Sequence, residues 1–283
     1  MTRFAMVAAL TACVGKPGDS GSDSVADVPV TAFTLDYRTD PDPPVAGEPA
    51  ELTYSLLDQN GDPVENLQQN HQRMVHVIVL SEDLTSFEHK HHEDQYDVTA
   101  DDLRTATFHV TEVFPYSGNF LIAFDYAYAN QYYQSTVLEE VGGDVPQLDA
   151  PVEDLSTTVT GEGYTAEISW DVAPIAGFES QVWVHVTDPD GAEVTDMTQW
   201  LGADAHLVMV RADLGWIAHT HAYIEGMDKV PPDHDMPHEY SGPDLPFRYT
   251  FSNAGLYKAW VQFAREGAPD DPVTIPFMFE VSP

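Results

Sequence analysis

Residues 76–91 read HVIVLSEDLTSFEHKH, and residues 206–221 read HLVMVRADLGWIAHTH. Each stretch has an apolar run, a six-residue segment containing Asp-Leu at the same place, and a second short run that ends in His-x-His. Two short apolar runs rich in β-branched and aromatic residues, separated by a turn segment, predict an antiparallel β-hairpin. Because the two stretches are 130 residues apart and share all three histidine positions, they indicate one structural unit used twice.

The repeat extends beyond these hairpins. It holds without a gap over residues 52–91 at the offset of 130, and it resumes downstream at an offset of 137, which pairs Phe114 with Phe251 and Phe120 with Tyr257. The second copy therefore carries a seven-residue insertion. We place it around Met227–Phe247, a stretch rich in Pro, Asp and Gly that is typical of a long loop.

Short strands dominate the rest of the chain, and no segment has a sustained apolar stripe at helical spacing. Predicted strands of the first copy are Ala32–Tyr37, Glu51–Leu57, Met74–Leu80, Thr105–Val110 and Asn119–Tyr126. Residues 58–62 and 188–191 contain Asn or Asp beside Gly, which is typical of the turn of a β-hairpin. This pattern predicts an all-β fold of two tandem immunoglobulin-like β-sandwich domains, residues 30–141 and 154–283, with a linker at 142–153.

The start of the chain indicates export. Met1–Ala12 combines Arg3, an apolar run and small residues, as a signal peptide does. Cys13, the single cysteine, ends a lipobox-like Leu-Thr-Ala-Cys segment, so we expect it to be lipidated and to anchor the protein to a membrane. Residues 13–29 then form a flexible tether. The alternative is an ordinary signal peptide that is removed together with Cys13; either way we expect an extracytoplasmic protein of the cell envelope.

The composition excludes several functional classes. With 47 acidic and 11 basic residues, the formal net charge of −36 argues against binding nucleic acid or an anionic lipid surface. The acids are scattered along the chain, which is typical of a solubilising surface. The sequence has no Gly-x-Ser-x-Gly elbow, phosphate-binding glycine loop or His-Glu-x-x-His motif. We therefore expect no enzymatic activity.

The repeated histidines are the candidate site residues. If residues 81–86 form the hairpin loop, Ile78 pairs with His89 and His76 pairs with His91, so that all three histidines share one face of the strand pair. The same register in the second copy brings together His206, His219 and His221. Three converging imidazoles suit Cu(II), Zn(II) or Ni(II), and without thiolates an iron–sulfur or structural Cys-zinc site is disfavoured.

Additional ligands of mixed hardness flank the two clusters in the sequence. They are Met74, His71 and His92 around the first, and Met209, His234, Met236 and His238 around the second. A mixed His and Met set favours copper, so copper or zinc is the expected ion. The alternative is that the histidines are structural, with ring nitrogens hydrogen-bonded to backbone carbonyls or to carboxylates such as Glu88 and Asp83.

Other polar residues have simpler interpretations. His109 and His185 occupy isolated strand positions and are expected to be ordinary. Asp83 and Asp213 are expected to accept hydrogen bonds from loop amides. Four tyrosines within residues 126–133 suit either a contact surface or a buried strand.

The segment from His71 to His91, with His76, Asp83 and His89 at its spaced positions, resembles the signature of the YtkA-like group of exported bacterial proteins. The segment from Trp200 to His206, followed by Ala-His-Thr-His221, resembles the companion second-domain signature, and the likeness covers most of residues 47–281. It implies an immunoglobulin-like extracytoplasmic domain associated with heavy-metal handling and without established catalysis. A proline commonly follows the His-x-His in that group, whereas His92 and Ala222 stand there in this chain.

Two functional hypotheses follow. In the first, the protein is a membrane-tethered metal-binding protein that holds copper or a similar divalent ion through the two His-x12-His-x-His clusters. In the second, it is an envelope interaction module that contacts another protein, and its histidines only support the fold.

Overall fold

The structure is a computed structural model that describes residues 33–129, 131–146, 153–222 and 242–283. It is an all-β protein whose chain divides into two compact units, Met1–Ala150 and Pro151–Pro283. Each unit consists of antiparallel sheets packed around its own hydrophobic core. The predicted fold class, two β-sandwich domains in tandem, is therefore confirmed.

The first unit has a three-stranded sheet of order β1-β2-β5 and a four-stranded sheet of order β4-β3-β6-β7. Its strands are β1 (Thr34–Asp40), β2 (Pro49–Leu57), β3 (Val75–Ser81), β4 (Phe87–Lys90), β5 (Thr107–Val113), β6 (Gly118–Tyr128) and β7 (Gln131–Val141). A 3-10 turn (His92–Asp94) and a short helix α1 (Ala100–Thr105) connect β4 to β5.

Alternation along the strands builds the core of the first unit. Leu52 and Tyr54 of β2 face Ile122 and Phe124 of β6 in one buried cluster, and the Tyr54 and Phe124 rings lie 4.8 Å apart between the two sheets. Burying a large apolar side chain stabilises the folded state by about 1.5–3 kcal/mol. Because the strand period is two, a one-residue slip would move these side chains out of the core, so the core fixes the register.

The second unit repeats this plan with two additional short strands. Its strands are β8 (Thr158–Gly161), β9 (Tyr164–Trp170), β10 (Glu179–Thr187), β11 (Met197–Thr198), β12 (His206–Arg211), β13 (Ile217–His221), β14 (Asp244–Thr250), β15 (Gly255–Arg265) and β16 (Ala268–Val281). One sheet has the order β14-β10-β9-β8, and the other has the order β11-β15-β12-β13 with β16 paired to β15. The Trp170 and Phe279 rings, 5.1 Å apart, join the two sheets.

The predicted strands are confirmed within a few residues, but the loop prediction in the second unit extends too far. We expected a loop through Phe247; the structure instead has β14 from Asp244, with Phe247 fully buried in the core. The periodicity also missed α1. Its signal is Thr99 three residues before Asp102, a capping box in which each side chain accepts a hydrogen bond from the other's backbone N–H.

Several predictions lie outside the described residues. These are the signal peptide, Cys13, the tether, and the loop with His234, Met236 and His238. Within the part of the chain that the structure describes, no helix combines the length and apolar character needed to cross a membrane.

Candidate metal-binding site

The histidine-bearing hairpin has the predicted register in both units. In the first, Leu80 pairs with Phe87 and Ile78 pairs with His89. In the second, the ladder runs from Val210 paired with Ile217 down to His206 paired with His221. The hairpin geometry inferred from the spacing is therefore confirmed.

The histidines lie on the sheet face opposite to the sandwich core. Val75, Val77 and Val79 belong to the core cluster of the first unit, so alternation places His76 and Ile78 on the other face of β3. One face of β3 thus packs in the hydrophobic core, and the opposite face carries the histidine ring of His76.

Three ring nitrogens of the first unit form a nearly equilateral triangle. His76 Nδ1 lies 3.0 Å from His89 Nε2 and 3.0 Å from His91 Nε2, and the last two atoms are 3.1 Å apart. His76 and His91 are fully buried and His89 is half-buried. We refer to these three residues as the first triad.

The outer nitrogens of two of these rings have fixed acceptors. His76 Nε2 donates to the backbone carbonyl of Asn70 at 2.9 Å, and His91 Nδ1 donates to Asp94 Oδ2 at 2.6 Å. A neutral imidazole carries one proton, so the inner nitrogens, His76 Nδ1 and His91 Nε2, present lone pairs to the centre of the triangle. Metal-binding histidines are oriented in this way by an acceptor behind the ring.

Burial disfavours the charged form of His91. It lowers the pKa of His91 below its ordinary value, an effect that the hydrogen bond to Asp94 opposes without overcoming it. The ring of His91 is therefore neutral at neutral pH, which is the protonation state that a metal ion requires.

Hydrogen bonds among the three rings cannot satisfy the triangle. Each inner nitrogen either carries a proton or does not, so at least one of the three contacts joins two donors or two acceptors. The outer acceptors identify this contact as the one between the lone pairs of His76 Nδ1 and His91 Nε2, 3.0 Å apart. A cation in the centre turns this repulsion into coordination.

The size of the triangle fits a transition-metal ion. With metal–nitrogen bonds of about 2.0–2.1 Å, ligand nitrogens lie about 2.9 Å apart at octahedral angles and about 3.4 Å apart at tetrahedral angles. The observed separations of 3.0–3.1 Å fall between these limits. The triad can therefore hold one ion on three imidazole nitrogens.

The second unit has an equivalent triad of His206, His219 and His221, whose potential ligand atoms all lie within 4.8 Å of one another. His206 Nδ1 is 3.0 Å from His219 Nε2. The outer His206 Nε2 donates to the carbonyl of Trp200 at 3.0 Å, in the position that Asn70 has in the first unit. We refer to these residues as the second triad.

A tight turn positions both backbone acceptors. Asn70 and Arg73 exchange backbone hydrogen bonds, as do Trp200 and Ala203, and the two residues inside each turn have positive φ. Such turns resemble type I′ turns, in which a non-glycine residue is strained. Sequence reasoning missed this part of the site because a backbone carbonyl is independent of the side chain, and Asn70 has no chemical likeness to Trp200.

Two of the methionines suggested as additional ligands are not at the triads. Met74 and Met209 lie in the hydrophobic cores of their units. His92 is also outside the triad: its Nδ1 accepts the N–H of His109 at 3.0 Å, and its ring stacks on Tyr96. His71 is buried in the turn itself and is no member of the first triad's triangle. The donor set in the described residues is thus imidazole nitrogen only.

Asp83, which the structural alternative offered as a partner of the histidines, and Asp213 both act in loops. Asp83 Oδ1 accepts hydrogen bonds from Thr85 N, Thr85 Oγ1 and Tyr116 OH, and Asp213 Oδ1 accepts one from Gly215 N. The predicted turn roles of both aspartates are confirmed.

The isolated histidines and the tyrosine segment also have defined surroundings. His109 contacts Thr53 Oγ1 at 3.1 Å, and His185 pairs with Asp244 at 2.8 Å. Of the tyrosine segment, Tyr126 is buried in the core, whereas Tyr132 is half-exposed on β7.

Taken with the fold, these contacts define a tandem β-sandwich protein in which each unit carries a three-histidine group able to bind a metal ion. The chain belongs to the family described as Domain of unknown function (DUF8832), whose model matches residues 30–142 and again residues 157–283. This double match agrees with the internal repeat. It does not confirm the resemblance to the YtkA-like group.

Solved structures show distant likeness only. A transglutaminase from red sea bream has a TM-score of 0.24 and 8% identity over 90% of this chain and 31% of that one. A protein from Corynebacterium diphtheriae described as membrane-anchored has a TM-score of 0.23 and 11% identity over 89% of this chain and 59% of that one. The chain thus spans less than two thirds of either structure, and no curated protein matches it.

Proposed function

We propose that this protein is a membrane-tethered, extracytoplasmic metal-binding protein that takes up a divalent transition-metal ion, Cu(II) or Zn(II). The observation that carries the proposal is the triangle of ring nitrogens at 3.0–3.1 Å in the first triad. Two of its lone pairs point at each other, and a bound cation is the arrangement that stabilises them.

The donor set favours Cu(II) and Zn(II) over Cu(I). Imidazole suits both divalent ions, whereas thiolate and thioether ligands select Cu(I). Met74 and Met209 lie in the cores, so neither gives support to a preference for copper over zinc. Zn(II) and Cu(II) are therefore the two ions to test first.

The cellular location rests on the sequence. A lipid on Cys13 would hold the chain at a membrane, with residues 13–29 as a tether. The membrane and the ion are then its principal partners, with another envelope protein as a recipient or donor of the ion. Neither catalysis nor nucleic-acid binding belongs to the proposal.

Metal titration tests the proposal directly. The full chain with Cys13→Ser is titrated with Zn(II) and Cu(II) against a chromophoric chelator, beside His89→Ala and His219→Ala. We expect sub-micromolar affinity that each triad substitution weakens. His109→Ala and His185→Ala serve as matched controls, because these histidines lie outside the triads and should leave the titration unchanged. A chain that takes up neither ion at micromolar concentration refutes the proposal.

A specific surface feature favours the interaction module as a second candidate. Edge strand β7 exposes Tyr132 and Leu138, 51% and 60% accessible, on the face away from the core. Exposed apolar side chains on an edge strand can contact another protein. In that case Tyr132→Ser and Leu138→Ser would abolish partner binding, and the triad substitutions would not.

A further inference from the structure

The outer acceptors of the first triad are linked to each other by one arginine. Arg73 closes the turn whose Asn70 carbonyl accepts from His76, through backbone hydrogen bonds of 2.8 and 3.1 Å. Its guanidinium donates to Asp94 Oδ1 through Nε at 3.0 Å and also through Nη2. The supports behind His76 and His91 are therefore one connected network.

Neighbouring contacts hold Asp94 in this position. The 3-10 turn that carries it bonds back to His91, with Asp94 N donating to His91 O at 3.3 Å. Glu93 in the same turn accepts the backbone N–H of Met74 at 2.7 Å. Both ends of the network are thus fixed to the β3–β4 hairpin, so Asp94 Oδ2 stays aimed at the His91 ring.

The turn of this network recurs in the second unit. Its carbonyl, from Trp200, accepts from His206 Nε2 at 3.0 Å. Ala203 stands in the place of Arg73 at the offset of 130, so an arginine closes the turn in the first unit alone.

We propose that Asp94, held by Arg73, is a positioning residue for His91 that increases the affinity of the first triad for a divalent metal ion. A carboxylate behind an imidazole fixes the tautomer with the lone pair on Nε2 and increases the basicity of that nitrogen. The affinity for the divalent ions Zn(II) and Cu(II) should increase most, because the negative charge behind the ring complements their positive charge. This inference rests on the proposed function.

Substitution of Asp94 tests the role. Loss of a carboxylate behind a metal-binding histidine lowers affinity by about 10- to 100-fold, and we expect a loss of this size for Asp94→Asn in Zn(II) titrations of the full chain. Asp94→Glu should restore part of the affinity. In the ¹⁵N NMR spectrum of the metal-free chain, Asp94→Asn should shift the ring nitrogens of His91, which a purely structural role for Asp94 would not do.

The matched control is Asp213→Asn. Asp213 accepts from Arg211 Nε at 2.7 Å, so it is another aspartate in an arginine pair, and it lies in the hairpin loop of the second unit. An equal loss of affinity in Asp213→Asn would assign the effect to total charge and overturn the inference.

Pairwise substitutions locate the effect. Asp94→Asn should weaken binding in the His219→Ala chain, which keeps all three histidines of the first triad, and change it less than twofold in the His89→Ala chain. Equal effects in both chains overturn the inference. Failure of the unsubstituted chain to bind metal would instead refute the proposed function.

Discussion

Alanine at His89 separates metal coordination from structural hydrogen bonding as the role of the first triad. His89 Nε2 lies 3.0 and 3.1 Å from the nitrogens of His76 and His91, both of which already present lone pairs. In the metal-free protein, His89 can therefore donate one proton to one of them, and the other contacts are not hydrogen bonds. Its removal should cost the metal-free protein at most about 1 kcal/mol, the net value of one hydrogen bond.

The metal-bound protein should respond far more strongly. A ligand at 100 times its Kd that binds only the folded state stabilises it by about 2.7 kcal/mol. In a unit of about 110 residues this corresponds to a rise in Tm of about 10 °C. His89→Ala should lose most of this rise, because two imidazoles retain little affinity.

Differential scanning calorimetry in EDTA measures the stability of the metal-free protein, and calorimetry in Zn(II) measures the rise in Tm that the metal gives. Tryptophan fluorescence is unsuitable here, because all five tryptophans lie in the second unit: Trp170, Trp183, Trp200, Trp216 and Trp260. If His89→Ala instead destabilises the metal-free protein by 3 kcal/mol or more and keeps the full Zn(II) increment, the histidines are structural and the reasoning is wrong.

Three further outcomes are expected. Cu(II) should quench tryptophan emission, and Trp200→Phe should reduce this quenching, because the Trp200 ring lies 4.8 Å from that of His206. The pKa of Asp83 is lowered: burial raises it, but hydrogen bonds to the carboxylate lower it by more. Asp83→Asn should therefore destabilise the protein at neutral pH. In urea denaturation this difference should vanish as the pH falls through the lowered pKa, because the folded-state pKa lies below the unfolded one. Gln72→Gly should raise the free energy of unfolding by about 0.5 kcal/mol in urea titrations. This exposed residue has φ of 64°, a conformation that glycine adopts without strain. A loss of stability would contradict that reasoning.

The sequence was sufficient for the fold and for the convergence of the histidines. The six-residue loop fixes which residues pair across the hairpin, and the strand period of two then places the histidines on one face. Both features are local and have period two, so a repeated pattern determines them. The position of His89 beside His76 followed from these facts alone.

The supports behind the rings could not be predicted in the same way. Asn70 contributes only its carbonyl, which every residue possesses, and the left-handed turn that aims it contains no glycine in the first unit. Asp94 acts from a 3-10 turn after the strand, where periodicity carries no information. Met74 shows the opposite case: it is close to His76 in the sequence, yet its side chain lies in the hydrophobic core.

The separation of fold and site onto opposite faces of one hairpin explains what the two units share and where they differ. Slipping β3 by one residue would move Val77 to the histidine face and turn His76 into the core, so core packing also fixes the face on which His76 lies. Duplication of the unit therefore preserves the orientation of the ligands. The groups behind the rings are not tied to the core in this way, and Ala203 occupies the place of Arg73 in the second unit. Differences in affinity between the two triads can thus arise from the support alone, while the ligands and the fold remain the same.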